Sequence, residues 1–228
     1  MTSDETDNST TSTTSTIEAE ATAEAAADGK PTLRADARRN REAVLAAARE
    51  RFGECGLECQ MEDIARTAGV GVGTVYRHFP TKGDLIGALV SDRFQRLAER
   101  TEEALAQDDP WEAFCELMRY SAEYQVRDRG LSEFLSSQPQ LGQHEAVESG
   151  LADLTAQLIA NAQAAGGMRK DAVIEDVPTL ICGLGAVTAG AAGNMPELNW
   201  ERYVEIMLDG LRAPGVNKLP PPRALIQR

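Results

Sequence analysis

The sequence predicts an all-α fold: an N-terminal three-helix domain built around a helix-turn-helix, then a six-helix C-terminal domain. Ala, Leu, Glu and Arg, all strong helix formers, dominate the composition. No run alternates β-branched and polar residues in the manner of a half-buried strand. Apolar residues instead return every three or four positions, first at Val44, Leu45, Ala48 and Phe52. The chain has 228 residues, 42% of them hydrophobic, enough for the core of one large domain or two small ones.

The elements follow in order. Residues 1–33 form an acidic, Ser/Thr-rich tail without an aromatic residue. With so little apolar surface to bury, this tail is expected to be disordered. A first helix is expected over about 35–54, stopped by Gly53 and Gly56. Two short helices, 61–68 and 72–79, flank the turn Gly69-Val70-Gly71, and Pro80 ends the second. Thr81 is the expected N-cap of a fourth helix reaching about 107, with Leu85, Leu89, Phe94 and Leu97 on its apolar face. Asp108, Asp109 and Pro110 open a fifth helix, with a cap and an early Pro, that ends near Gly130. Further helices are expected at 131–137, 143–165, 175–193 and 199–212. A Pro-rich tail at 213–228 is expected to be extended. The domains so defined are 34–82 and 83–212.

The net charge of −13 is unevenly spread. Segment 1–33 carries −6 and segment 98–228 carries −9, whereas 34–97 carries +2. Only that middle segment can approach phosphates without strong repulsion. The acidic remainder argues against an extended nucleic-acid surface and against an anionic membrane partner.

Four cysteines (Cys55, Cys59, Cys115, Cys182) form no disulfide framework, and two histidines are too few for a common zinc site, so reduced thiols and no metal or cofactor are expected. The N-terminus has neither a basic region nor an apolar one of the kind that directs secretion. The most apolar window, 177–195, contains Pro178 and is mostly Ala and Gly. A soluble, cytoplasmic protein with no membrane partner is the expectation.

The segment MEDIARTAGVGVGTVYRHFP (61–80) carries the function. Two short helices around a tight turn must cross steeply. That demands a small residue at the crossing (Ala65), a residue tolerant of positive φ in the turn (Gly69), and an apolar inner face (Ile64, Ala68, Val70, Val75). The outward face of the second helix is then free for the major groove of double-stranded DNA. Gly73 permits close backbone approach. Thr74 offers a hydroxyl to a phosphate and a methyl to a thymine. Tyr76 can reach a phosphate, Arg77 can fork onto guanine or phosphate, and His78 can donate to a phosphate. Lys82 adds a phosphate contact at a helix N-terminus. Arg34, Arg38, Arg39 and Arg41 cluster at the expected start of the first helix, where positive charge opposes the helix dipole and a nearby phosphate backbone would offset that cost. An ordinary solvated helix end is the other account.

With the stretches EAVLAAARERFGECG and MEDIARTAGVGVGTVYRHFPTKGDLI in this order, residues 38–97 resemble the DNA-binding domain of the TetR family of transcriptional regulators. The resemblance implies a helix-turn-helix braced by the helix before it and carried on the helix after it. It places the family's usual contacts at Gly73, Thr74, Tyr76, His78 and Lys82, with Arg77 at a position that varies in chemistry. Gln60 stands where the family often has a Ser or Thr cap for the first short helix, and Val72 where it often has a polar residue at the start of the second.

The resemblance also implies a C-terminal ligand-binding and dimerisation domain. The small residues of ICGLGAVTAGAAG (181–193) and the apolar face of the last helix (Trp200, Tyr203, Ile206, Met207, Leu211) could form a homodimer seam through the last two helices, or face their own core. Candidate lining residues for a small apolar or aromatic effector are Phe94, Trp111, Phe114, Met118, Tyr120, Tyr124, Phe134 and Leu184; such a set is as compatible with core. The function expected is a repressor released from a palindromic operator by that effector. An activator or a ligand-independent regulator of the same fold is the alternative. An enzyme is disfavoured, because no nucleophile elbow, phosphate-binding glycine loop or metal-ligand spacing is present. A helical interaction protein that lost DNA binding is disfavoured by the outward residues of the second short helix.

Overall fold

The computed structural model describes residues 14–190, 199–215 and 217–221, with side chains described from residue 35 and not at 188–190. Among the described residues it is all-helical, with one isolated antiparallel bridge between Met168 and Arg212. The helices are α1 (Thr14–Cys55), α2 (Met61–Ala68), α3 (Val72–His78), α4 (Lys82–Leu105), α5 (Pro110–Arg127), α6 (Arg129–Ser137), α7 (Pro139–Glu148), α8 (Leu151–Ala164), α9 (Asp176–Gly190) and α10 (Trp200–Leu211). A 3-10 turn, Gly56–Glu58, joins α1 to α2.

Two differences from the expected elements have simple causes. First, α1 starts at Thr14, inside the tail expected to be without order. Low apolar content forbids a packed core but not a helix, and Ala and Glu over 18–27 favour one by intrinsic propensity. The Arg cluster therefore lies within α1 and not at its start, and the dipole argument does not apply to it. Second, the single helix expected over 143–165 is two helices, so seven helices follow α3 instead of six. Gly150 adopts φ +75 between α7 and α8, a left-handed conformation that interrupts the helical path. Residues 1–13, 191–198 and 222–228, which include parts of both expected tails and the end of the expected 175–193 helix, lie outside the described residues.

The caps were legible. Thr81 Oγ1 accepts from Asp84 N at 3.1 Å while Asp84 Oδ2 accepts from Thr81 N at 2.9 Å, a reciprocal capping box that starts α4. Asp109 caps α5, accepting from Trp111 N at 2.9 Å, and Pro110 follows it at the first helical position.

The head of the molecule packs around Val44, Leu45, Ala48, Phe52, Ile64, Ala65 and Val75. Its core does not close at residue 82: Leu85, Leu89 and Val90 of α4 and Leu131 of α6 belong to it as well. The start of α6 comes so close to the end of α1 that a Cβ on Gly130 would lie 2.6 Å from the Phe52 carbonyl oxygen. Only glycine allows that approach. The body packs around Phe114, Met118, Ile159, Leu184, Val204 and Leu208, from α5, α8, α9 and α10. α4 joins the two, its far half contributing Leu97 and Ala104 to a third cluster with Leu117 and Leu158.

The described part of the C-terminal tail is tied down. Arg169 Nη1 donates to the Gly210 carbonyl at 2.9 Å and its Nε to Asp171 Oδ1 at 2.6 Å. Asp171 Oδ2 in turn accepts from Leu219 N at 2.9 Å. These bonds tie Leu219 and the end of α10 to the turn after α8.

Candidate nucleic-acid interface

The turn between α2 and α3 is built as its sequence requires. Gly69 has φ +68, and its N–H and that of Val70 satisfy the last carbonyls of α2, at Arg66 and Ala65. Ile64, Ala65 and Val75 are buried between the two helices and α1. The residues at the N-cap positions of α2 and α3 are Gln60 and Gly71, neither of which makes a side-chain cap bond; the Gln60 amide donates to the Glu58 carbonyl instead.

With Val75 turned inward, α3 presents Val72, Gly73, Tyr76 and Arg77 to solvent, and Tyr76 is 42% exposed. Thr74 and His78 are half-buried at the margins of that face, and Lys82, the first residue of α4, is half-buried beyond them. A Cβ on Gly73 would meet nothing within 4 Å. Among the described residues, nothing requires glycine there. Arg38 is exposed on α1, 3.8 Å from Glu42. The Arg41 guanidinium lies 5.4 Å from the Phe79 ring centre, against the base of the same head.

His78 differs from the expected phosphate donor. Its Nε2 is buried without a hydrogen-bond partner, and burial, aided by Arg77 and Arg41, lowers its pKa from the ordinary 6.5. The folded head thus favours the neutral imidazole. Between the lowered value and 6.5 the unfolded chain binds more protons, so the stability contributed by His78 is present above pH 6.5 and lost as pH falls through the folded value. Thermal melts of the wild type should show a decline below about pH 6.5 that is shallower in His78→Gln. Identical pH profiles would remove His78 from this role.

The eight candidate pocket residues do not converge on one cavity. Phe94 and Phe134 pack against the head core. Trp111, Phe114, Met118 and Leu184 are buried in the body core. Tyr120 packs on the third cluster and meets Tyr124 edge-on at 5.1 Å. They divide among different clusters because α4, α5 and α6 each pack against several other helices. A hollow of about 410 Å³ lies elsewhere, between α5, α6 and α9, and Gln125, Ser132 and Gly185 line it. The signal for it was Arg93, a charge on the apolar stripe of α4, four residues from both Leu89 and Leu97. No group of three or more potential metal ligands occurs among the described residues, and no helix among them is long and apolar enough to cross a membrane.

A helix-turn-helix head carried by a long helix into a helical body defines a class of DNA-reading regulators. Residues 44–89 match the bacterial regulatory proteins of the tetR family, and residues 109–213 match the C-terminal domain of SbtR-like transcriptional regulators. A TetR transcription regulatory protein of Mycobacterium vanbaalenii is 36% identical, with a TM-score of 0.60 over 79% of this chain and 99% of that one. FadR of Thermus thermophilus, a TetR-family transcriptional repressor solved with lauroyl-CoA, is 26% identical with a TM-score of 0.51, over 81% of this chain and 100% of that one. The HTH-type transcriptional regulator SAR0097 of Staphylococcus aureus is 35% identical over 80 residues, 34% of this chain and 42% of that protein. The chain thus spans less than half the length of the curated relatives it matches. The chain belongs to the TetR family of helix-turn-helix transcriptional regulators.

Proposed function

We propose that this protein is a repressor that reads a palindromic operator as a homodimer and is released by a small-molecule effector bound in its body. Its DNA contacts are Gly73, Thr74, Tyr76, Arg77 and Lys82, with His78 buttressing the reading helix and Arg38 reaching the flanking phosphates. The observation that carries this reading is the outward face of α3. It offers a glycine with no internal purpose beside an exposed tyrosine and arginine. A bare backbone at Gly73 serves something outside the chain that must come close, as a groove does.

The dimer is supported by the faces of α9 and α10 turned away from the body core. Val187 is 54% exposed and Ile206 52%, beside exposed Cys182, Gly183, Ala186 and Tyr203. Small residues on one helix and large apolar ones on the other suit a two-fold four-helix seam. Two heads related by such an axis are what a palindrome requires. The lauroyl-CoA complex of FadR supports a small-molecule effector for this chain as well.

Selection of bound fragments from the source genome tests the reading. It should return a shared palindrome, bound by a dimer in light scattering, with affinity falling steeply as salt rises because phosphate contacts dominate. Fragments without a common palindrome, or an affinity indifferent to salt, would overturn it.

A further inference from the structure

Arg93 is 6% exposed, and its charge is held in an unusual way. Nη1 donates to Ser132 Oγ at 3.0 Å and Nη2 donates to Gln125 Oε1 at 2.7 Å. Its guanidinium carbon lies 5.9 Å from the Tyr124 ring centre. A buried cation is ordinarily matched by a hydrogen-bonded carboxylate, because desolvation makes an unmatched charge costly. Both of these hydrogen-bond partners are neutral side chains. Asp128 is the nearby acid, yet its Oδ1 is buried without a hydrogen-bond partner. Burial also pushes the Asp128 carboxyl up from its usual range, against the pull of Arg93, which weakens it as a counter-charge.

A guanidinium only donates. Arg93 therefore takes the acceptor oxygen of both Gln125 and Ser132, and the functions it leaves to them are donors: the Gln125 amide N–H groups and the Ser132 hydroxyl hydrogen. These two residues also line the hollow of about 410 Å³, with Ser136 and the Arg129–Glu133 ion pair (2.9 Å), which neutralises the one carboxylate in its lining, and with Val126 and Ala186 on its apolar side. That volume falls at the small end of ligand cavities, which begin at about 300 Å³. Gly185 lines it too, and a Cβ there would lie 2.2 Å from Gln125 Nε2, so the glycine lets the amide lie against the α9 backbone.

We infer that this hollow binds a small carboxylic acid with an apolar body, its carboxylate accepting from Gln125 and Ser132 in front of the buried Arg93 cation. Occupancy is felt by α4, because a carboxylate accepting from the Gln125 amide and the Ser132 hydroxyl brings a negative charge up to the groups that hold the Arg93 guanidinium and polarises their bonds to it. The same helix begins at Lys82 and holds Leu85 and Leu89 in the head core, with Arg93 about 16 Å further along its axis. This inference rests on the effector-responsive function proposed above and names the chemistry of its effector.

Calorimetric titration of the full chain with hexanoate and benzoate, and with hexanamide and benzamide as neutral counterparts, tests the site. At least one acid should bind about tenfold or more tightly than its amide. Ser132→Ala and Arg93→Gln should each weaken that acid by about tenfold, with helix content unchanged by circular dichroism. Should Arg93→Gln fail to fold, Ser132→Ala alone decides. Absence of binding by both acids, equal binding of acid and amide, or full binding by Ser132→Ala would overturn the site. Competition on a promoter fragment separates the two readings. An acid that binds and lowers DNA affinity supports both. An acid that binds without changing DNA affinity removes the coupling through α4. DNA binding with no acid binding sinks this site and leaves the regulator intact, whereas acid binding with no DNA binding does the reverse.

Discussion

Tyr76→Ala and Lys82→Ala should each weaken binding to the chain's own promoter fragment by about tenfold or more, since one good contact carries about 1–3 kcal/mol. Neither change should alter the fold. Tyr76 is exposed on α3 and belongs to none of the packed clusters. Lys82 sits in the first turn of α4, where the capping box of Thr81 and Asp84 holds the helix start without it. Lys82 also brings its charge to a helix N-terminus, whose free N–H groups already favour a phosphate. Its loss should reduce the slope of log affinity against log salt by about one, whereas Tyr76→Ala should leave that slope nearly unchanged. Fluorescence anisotropy on a labelled fragment at several salt concentrations measures both quantities. Wild-type affinity in either variant would remove that residue from the interface.

Phe52→Ala should destabilise the protein by about 3–5 kcal/mol, the range for truncating a fully buried aromatic. Phe52 is fully buried in the head core. It sits in the last turn of α1, where its carbonyl faces Gly130 at the start of α6. The cavity left behind cannot easily collapse, because the α1 backbone is already held at closest approach to α6. Urea unfolding should show a lower midpoint with an unchanged slope. A loss below about 1 kcal/mol would mean that this site relaxes and that the head core is not centred on Phe52.

The parts of this fold that were legible in the sequence are those decided by neighbours along the chain. α2 is legible residue for residue, because Gly69 can end a helix in the left-handed region and the apolar positions Ile64, Ala65 and Ala68 fall at helical spacing before it. Thr81 as a cap, and a cap within Asp108-Asp109-Pro110, were legible because a cap is a local bond to a backbone N–H two or three residues on; the structure selects Asp109 of the pair. The break at Gly150 was missed because an isolated glycine in a helical pattern is compatible with helix or stop, and packing around α7 and α8 settles which. α1 starts earlier than the apolar pattern predicts, because intrinsic propensity can carry a helix where there is little apolar surface to bury.

The candidate site divides in the same way. The outward residues of α3 could be picked from the helical period, since burying Val75 turns Gly73, Tyr76 and Arg77 outward. The effector residues could not. Aromatic residues at helical spacing look the same whether they line a cavity or fill a core, and here they are shared among three packed clusters.

For this chain, then, the amino-acid order alone determined the helical class, the turn of the helix-turn-helix and which face of α3 meets solvent. Each of these depends on residues within a few positions of one another. Only the tertiary structure decided that the head core extends into α4 and α6, and that Arg93, Gln125 and Ser132 meet beside a hollow. Those residues lie 32 and 39 positions from Arg93, and no periodicity encodes a contact between separate helices. What brings them together is that a buried guanidinium must find acceptors, and α5 and α6 are where the packed fold supplies them.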